Sequence, residues 1–214
     1  MRRAANEDEL KFLKERLALR GVDAAELGAV QAADVAKHEH LMREGDDPDG
    51  SGIVVDGVVR EYYLHADGSE HTRGFAQRGD AFGSLSDALQ GRRSAVFVRA
   101  ESKTRVVFIS WSRVVALAKK SLAWERLAAD IVKDLYLRKS LREYELLALD
   151  AMGRYQSLKK RMPELEKKVP ATLIASYLGI TNVHLSRLRR RIPSPSGRGV
   201  GMRRVTSRTR RARS

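Results

Sequence analysis

Apolar positions along the chain change their spacing twice. Near the N-terminus Leu10, Leu13 and Leu17 recur at helical intervals and predict a short helix laid against a neighbouring core. From His38 to about Ser110 the apolar runs shorten into strands. In IVVDGVVREYYL, Asp56-Gly57 separates two β-rich runs and predicts a hairpin, because a tight primed turn needs positive φ at its centre. Ala66-Asp67-Gly68-Ser69, Gly79-Asp80 and Gly91 punctuate the strands that follow, and Ser94 to Ala100 and Thr104 to Ile109 supply two more. Short strands at this spacing predict a sandwich or β-roll. From Ser112 onward strand signals stop, and apolar residues fall at Leu127, Ala128, Ile131, Val132, Leu135, Tyr136, Tyr144, Leu147 and Ala148. That pattern predicts one long amphipathic helix. With little core left to cover, it is expected to pair with its twin in a homodimer; the alternative is packing across its own β-domain, and Arg138, Lys139 and Arg142 interrupt the stripe.

The sharpest pattern lies in VPATLIASYLGITNVHLSRLRRRI, from Val169 to Ile192. Ile174, Leu178, Ile180, Leu185 and Leu188 are apolar, Ala175 is small where a second helix would cross, and Gly179 stands where a tight turn needs positive φ. This is the pattern of a helix-turn-helix. Thr181 is placed to cap the second helix with its hydroxyl. With Leu185, Leu188 and Ile192 turned inward, the outward face carries Asn182, Val183, Ser186, Arg187 and Arg190. In a DNA major groove Asn pairs with adenine, Arg with guanine, and Val meets a thymine methyl. The first part of such a helix reaches base edges and the rest follows the backbone, so Asn182, Val183 and Arg187 are expected on bases and Thr181, Ser186 and Arg190 on phosphates.

Charge agrees with that reading but is uneven. The 214 residues hold 41 Lys plus Arg against 27 Asp plus Glu, a formal net charge of +14. Half of it is the seven arginines after Pro193, in a tail with almost no apolar surface that is expected to be disordered and to hold phosphate without reading sequence. The chain has no cysteine, which excludes disulfides, thiolate zinc sites, cysteine-ligated iron–sulfur clusters and cysteine nucleophiles. The opening MRRAANEDEL is charged, and no later stretch reaches ~18 consecutive apolar residues, so neither a signal peptide nor a membrane span is expected and the cytoplasm is the expected compartment.

In their order these segments resemble the cyclic AMP receptor protein/Fnr (Crp/Fnr) family of bacterial transcription regulators. The resemblance runs from about His40 to Ile192: REGD at Arg43 to Asp46, GIVVDGVVREYYLHADGSE, RGDAFGSL followed by RRSAVFVRAES, a long helix, LDAMGR from Leu149 to Arg154, and the helix-turn-helix. It implies an α+β protein. An N-terminal double-stranded β-helix, the β-roll effector domain, would fill 1–111, a dimerisation helix 112–149, the DNA-binding domain 150–192 with a hinge near Asp150, and the Arg-rich tail 193–214. It further implies binding to an inverted-repeat operator in double-stranded DNA as a homodimer, contact with RNA polymerase, and no enzymatic activity.

In cyclic-nucleotide binders of this family a Gly-Glu-Leu cassette followed by Arg-Ser grips ribose and phosphate, and a Thr-Ser pair on the long helix meets the base. Carried over, this marks Gly83, Ser84, Leu85, Arg93, Ser94, Lys139 and Ser140 as effector-binding candidates. Ser84 stands for the Glu and Lys139 for the Thr, which counts against cyclic AMP and leaves another anionic small molecule, or no ligand, open. A haem sensor would need His65 or His71, ordinarily just surface residues. The family's β-wing after the recognition helix is replaced here by Pro193 and the tail, and Val183 stands where well-studied members carry an acidic base-reader. Two readings of other classes stand beside this one. His38, His40 and Glu44 have the HxHxxxE spacing of a cupin-like metal-dependent enzyme, and the helix pair could instead serve protein contacts in a small-molecule-binding module.

Overall fold

The computed structural model describes residues 1–191; Ile192 and the expected Arg-rich tail lie outside the described residues. Two antiparallel sheets face one another. One holds β1 (Arg3–Ala4), β2 (Gln31–Val35), β9 (Thr104–Phe108), β4 (Gly52–Asp56) and β7 (Ala81–Phe82), in that order. The other holds β3 (His40–Met42), β8 (Phe97–Ala100), β5 (Val58–Leu64) and β6 (Glu70–Gln77). Between them Ala33, Val35, Val54, Val106 and Phe82 meet Met42, Val59, Ala76, Val98 and Ala100 in a buried core. The alternation of strand side chains puts these residues on the inner faces.

The corner at Gly57 corrects the expected hairpin. β4 pairs with β7 and β9, whereas β5 pairs with β6 and β8, so Asp56-Gly57 carries the chain from one sheet to the other instead of joining neighbours. Both runs are strongly apolar because each lies in a different sheet over the same core. Gly57 is at φ +93, and a Cβ there would lie 2.6 Å from the Lys103 carbonyl and 2.8 Å from Thr104 Cα. The turn at Ala66 to Ser69 closes a true hairpin, with the His65 amide bonded to the Ser69 carbonyl at 2.9 Å.

A second core covers the outer face of the first sheet. Leu13 and Leu17 of α1 (Glu7–Ala18), Val114 and Leu117 of α3 (Trp111–Ala118), and Trp124 and Leu127 of α4 (Leu122–Ala148) pack there with Ala32, Val55 and Val107. The helix at Leu10, Leu13 and Leu17 is as expected, capped by a reciprocal pair in which Asn6 takes the Glu9 amide and Glu9 takes the Asn6 amide. The single helix expected over 112–149 is two. Lys119 and Lys120 end α3, and after the break at Ser121 α4 starts afresh so that Trp124 can turn fully into the core.

α4 serves two surfaces, a division the single stripe did not show. Leu127, Ala128 and Ile131 pack against the β-roll core, while Val132, Tyr136, Leu137, Leu141, Tyr144 and Leu147 are exposed. None of the described helices is long and apolar enough to cross a membrane. Replacing Gly57→Ala is expected to cost on the order of 1–3 kcal/mol from backbone conformation alone, more with the clash, read as a lower urea midpoint with an unchanged slope.

Candidate functional site

The C-terminal unit is built on α5 (Ala151–Arg161), α6 (Leu165–Lys168), α7 (Ala171–Leu178) and α8 (Asn182–Arg191). Asp150 starts it, its carboxylate accepting the Gly153 amide at 2.7 Å, at the place expected for a hinge. Tyr155, Leu158, Leu165, Val169, Ile174, Ala175, Leu178, Leu185 and Leu188 form its core. α7 and α8 meet as expected of a helix-turn-helix. Gly179 is left-handed at φ 67, and the Thr181 hydroxyl accepts the His184 amide at 3.2 Å, capping α8.

Packing of Leu185 and Leu188 leaves Asn182, Val183, Ser186, Arg187 and Arg190 exposed on the outer side of α8, with the exposed cap Thr181 at its start. Val183 is 62% exposed, an apolar side chain with no core to join. α8 has no acidic residue. Beside the six, a shallow groove is lined by Thr181, Val183, His184, Arg187, Leu188 and Arg191. His184 escaped the sequence reading, although its spacing of three from both Thr181 and Arg187 was the available signal.

Arg189 belongs elsewhere. It donates to Glu166 at 2.8 and 3.0 Å, and Glu166 also accepts the Tyr155 hydroxyl at 2.8 Å. Burial pulls the Arg189 pKa down, but its bond to Glu166 more than compensates and holds it above the usual value. Of the Arg189-Arg190-Arg191 run, the first is a structural ion pair and the other two are exposed.

The unit is docked rather than tethered. Ser176 of α7 accepts the Thr72 amide at 3.0 Å and donates to the Glu70 carbonyl at 3.1 Å, filling hydrogen-bonding positions on the edge strand β6. Phe75 and Tyr177 lie 5.7 Å apart, and Val58 joins the same core. From α4, Arg142 stacks 3.9 Å over the Tyr177 ring and donates to the Tyr177 carbonyl. Burial lowers its pKa despite those partners. Buried Glu145 accepts from Ser157 at 2.5 Å and from Arg161 at 2.7 Å; Arg142 stands farther off at 3.7 Å, so Arg161 is its ion-pair partner. Arg154 closes the joint by donating to the Leu149 and Leu178 carbonyls, two helix ends left without internal partners.

The effector candidates are brought together only in part. Gly83, Ser84 and Leu85 lead into α2 (Leu85–Leu89). The Ser84 hydroxyl donates to Asp87 at 2.5 Å, and Asp87 also takes the Ala95 amide at 2.9 Å. Burial raises the Asp87 pKa, but these bonds, with Arg92 and Arg73, outweigh it and hold the group below its ordinary value. Ser94 is committed locally, bonding Val96 through its hydroxyl, and Arg93 is exposed. Lys139 is exposed and Ser140 half-buried on α4, with no hydrogen bond to the cassette among the described residues. His38 and His40 do not form the strand pair a metal site would need. His38 lies in a turn at φ 72 with Glu101 3.8 Å away, and His40 bonds the Tyr62 hydroxyl at 2.9 Å. No cluster of three metal-binding side chains occurs among the described residues. His65 and His71 stack on each other, ring centroids 4.1 Å apart, at the β5–β6 hairpin.

Residues 33–121 match the family model of the cyclic nucleotide-binding domain. Among solved structures the chain is similar to FixK2 from Bradyrhizobium japonicum, at 22% identity and a TM-score of 0.63 over 75% of this chain and 83% of that one. It is similar to the c-di-GMP responsive global regulator CLP of Xanthomonas campestris, at 18% identity and 0.56 over 81% and 89%. A CRP/FNR-family transcriptional regulator from Thermus thermophilus matches at 16% and 0.52 over 73% and 82%. Comparison with curated protein sequences returns no match. The chain is thus an α+β protein with a cyclic nucleotide-binding domain and a helical C-terminal unit. Its fold is that of solved Crp/Fnr-family transcriptional regulators, as the sequence resemblance implied.

Removing the carboxylate in Glu145→Ala leaves Arg142 and Arg161 without it in a largely buried joint. The expected loss is on the order of 3 kcal/mol, less whatever water recovers at the half-exposed Arg161. Hydrogen exchange should show α5, α7 and α8 losing protection before the β-roll does.

Proposed function

We propose that the protein is a sequence-specific DNA-binding transcription regulator of the Crp/Fnr type, not an enzyme, that works as a homodimer in the cytoplasm. The observation that carries this reading is the solvent face of α8. A helix capped by Thr181 presents Asn182, Val183, Ser186, Arg187 and Arg190 with no acid among them, while Leu185 and Leu188 fix its rotation from behind. Asn182, Val183 and Arg187, in its first half, read base edges; Thr181, Ser186 and Arg190 hold phosphates. His184 and Arg191 flank the same groove and extend the contact.

Dimerisation rests on α4. Val132, Tyr136, Leu137, Leu141, Tyr144 and Leu147 expose apolar side chains along a helix about 40 Å long, and a second copy covers them by two-fold pairing. Two recognition helices related by that axis read an inverted repeat, and RNA polymerase is the partner the family implies. The neighbours' names, a global regulator and a transcriptional regulator among them, support regulation over catalysis.

Fluorescence anisotropy on a duplex from the protein's own promoter tests the base contacts. Arg187→Ala is expected to weaken the specific complex by ~1–3 kcal/mol while leaving random duplex nearly unaffected. Arg190→Ala should weaken both alike and reduce the salt slope by about 1. Equal binding to every duplex, unchanged by Arg187→Ala, defeats the proposal. Separately, Tyr136→Asp with Leu141→Asp is expected to give a folded monomer in sedimentation velocity, with affinity for the two-half-site duplex reduced to that for a single half-site.

A further inference from the structure

Glu61 is an unusual occupant of the β-roll. It sits in mid-β5, opposite Val98 of β8 and Gly74 of β6, on the side where Val59, Ala76, Val98 and Ala100 form the core. A carboxylate there must be satisfied from within. One oxygen accepts the Gly83 amide at 2.9 Å; the other lies 3.3 Å from the Arg73 guanidinium. The two side chains keep only 15% and 17% of their exposure.

Both donors are aimed by the backbone. Arg73 is the extra residue of a β-bulge, since Glu61 pairs with Gly74 and Tyr62 with Thr72. Gly83 is at φ +120, where an added Cβ would lie 2.7 Å from the Ser51 Cβ, so this conformation, amide toward Glu61, is open only to glycine. An inward amide beside a fixed guanidinium makes a site for an anion. Burial lowers the Arg73 pKa, but Glu61, Tyr63 and Asp87 together leave it raised. Arg93, the cation in the cassette's own sequence, is exposed and supplies no ion pair among the described residues.

We propose that Glu61 is a built-in anion: its carboxylate occupies the Gly83 amide and the Arg73 guanidinium, closes the β-roll cassette against phosphate-bearing effectors, and is the residue that sets this specificity. This goes beyond DNA recognition, and its test involves no DNA, so the two stand or fall separately.

The full-length protein is titrated calorimetrically with inorganic phosphate and with cyclic AMP. Wild type is expected to give no saturable heat at millimolar ligand. Glu61→Gln keeps the shape and removes the charge, and is expected to bind phosphate saturably, at roughly a tenth or less of the concentration at which wild type still shows no binding. Adding Arg73→Gln should abolish that gain. Tight cyclic AMP binding by wild type that Glu61→Gln destroys would make Glu61 a ligand-gripping group and overturn the proposal, as would a folded Glu61→Gln protein that binds no better. Should that variant fail to fold, the wild-type Gly83 amide resonance decides: it is expected to stay unmoved through both titrations, and a saturable shift rejects the idea.

Discussion

Tyr177 ties three parts of the molecule to one another. Its ring lies against Phe75 of the β-roll and beneath Arg142 of α4, its carbonyl takes Arg142, and its hydroxyl takes Arg161 of α5 at 3.1 Å. Ser176 beside it is pinned to the edge of β6. Gly179 and Thr181 follow within one turn, so the direction of α8 is inherited from this joint. A helix that reads DNA as one of a pair must be held at a set angle to its twin. The exposed apolar side chains of α4 lie on the element that grips Tyr177, which links the proposed dimer axis to α8 through a short chain of packed side chains.

Charge does several different jobs in this chain. Glu145 with Arg161, Glu166 with Arg189, and Arg60 with Glu70 and Glu101 pair within the fold and fix the joint, the helix-turn-helix and the outer face of β5, with Glu145, Arg60 and Glu101 the buried members. Around the buried charges Glu145, Arg60 and Glu101, such pairing contributes little net stability but costs much when a partner is removed, so it enforces one arrangement. Arg187, Arg190 and Arg191 are exposed, and the proposed DNA contact uses them. The formal +14 sums both kinds and distinguishes neither.

Legibility followed the range of the interactions. The helix-turn-helix could be read because its demands are local: a small residue at the crossing, a turn residue that accepts positive φ, and a hydroxyl cap three residues before an amide. Asp56-Gly57 was misread because a hairpin and a sheet-to-sheet corner ask the same of a turn; they differ only in the partners of the strands on either side, which are far away in sequence. The α4 stripe was read as one surface for the same reason: Leu127 and Val132 are equally apolar, and only the position of the β-roll separates a covered residue from an exposed one. Arg189 looked like its neighbours until Glu166 was beside it.

From the sequence alone came the N-terminal helix, most strands of the β-roll, the helical character after Ser112, the start of α8 and the residues on it that turn outward, because periodicity and capping act within a few residues. Only the tertiary contacts show that the helical unit docks on β6, that Arg189 is held by Glu166, and that the cassette amide is taken by Glu61. Glu61 and Gly83 are brought together by strand register and a bulge, and register is a property of paired chains that no single stretch of sequence carries.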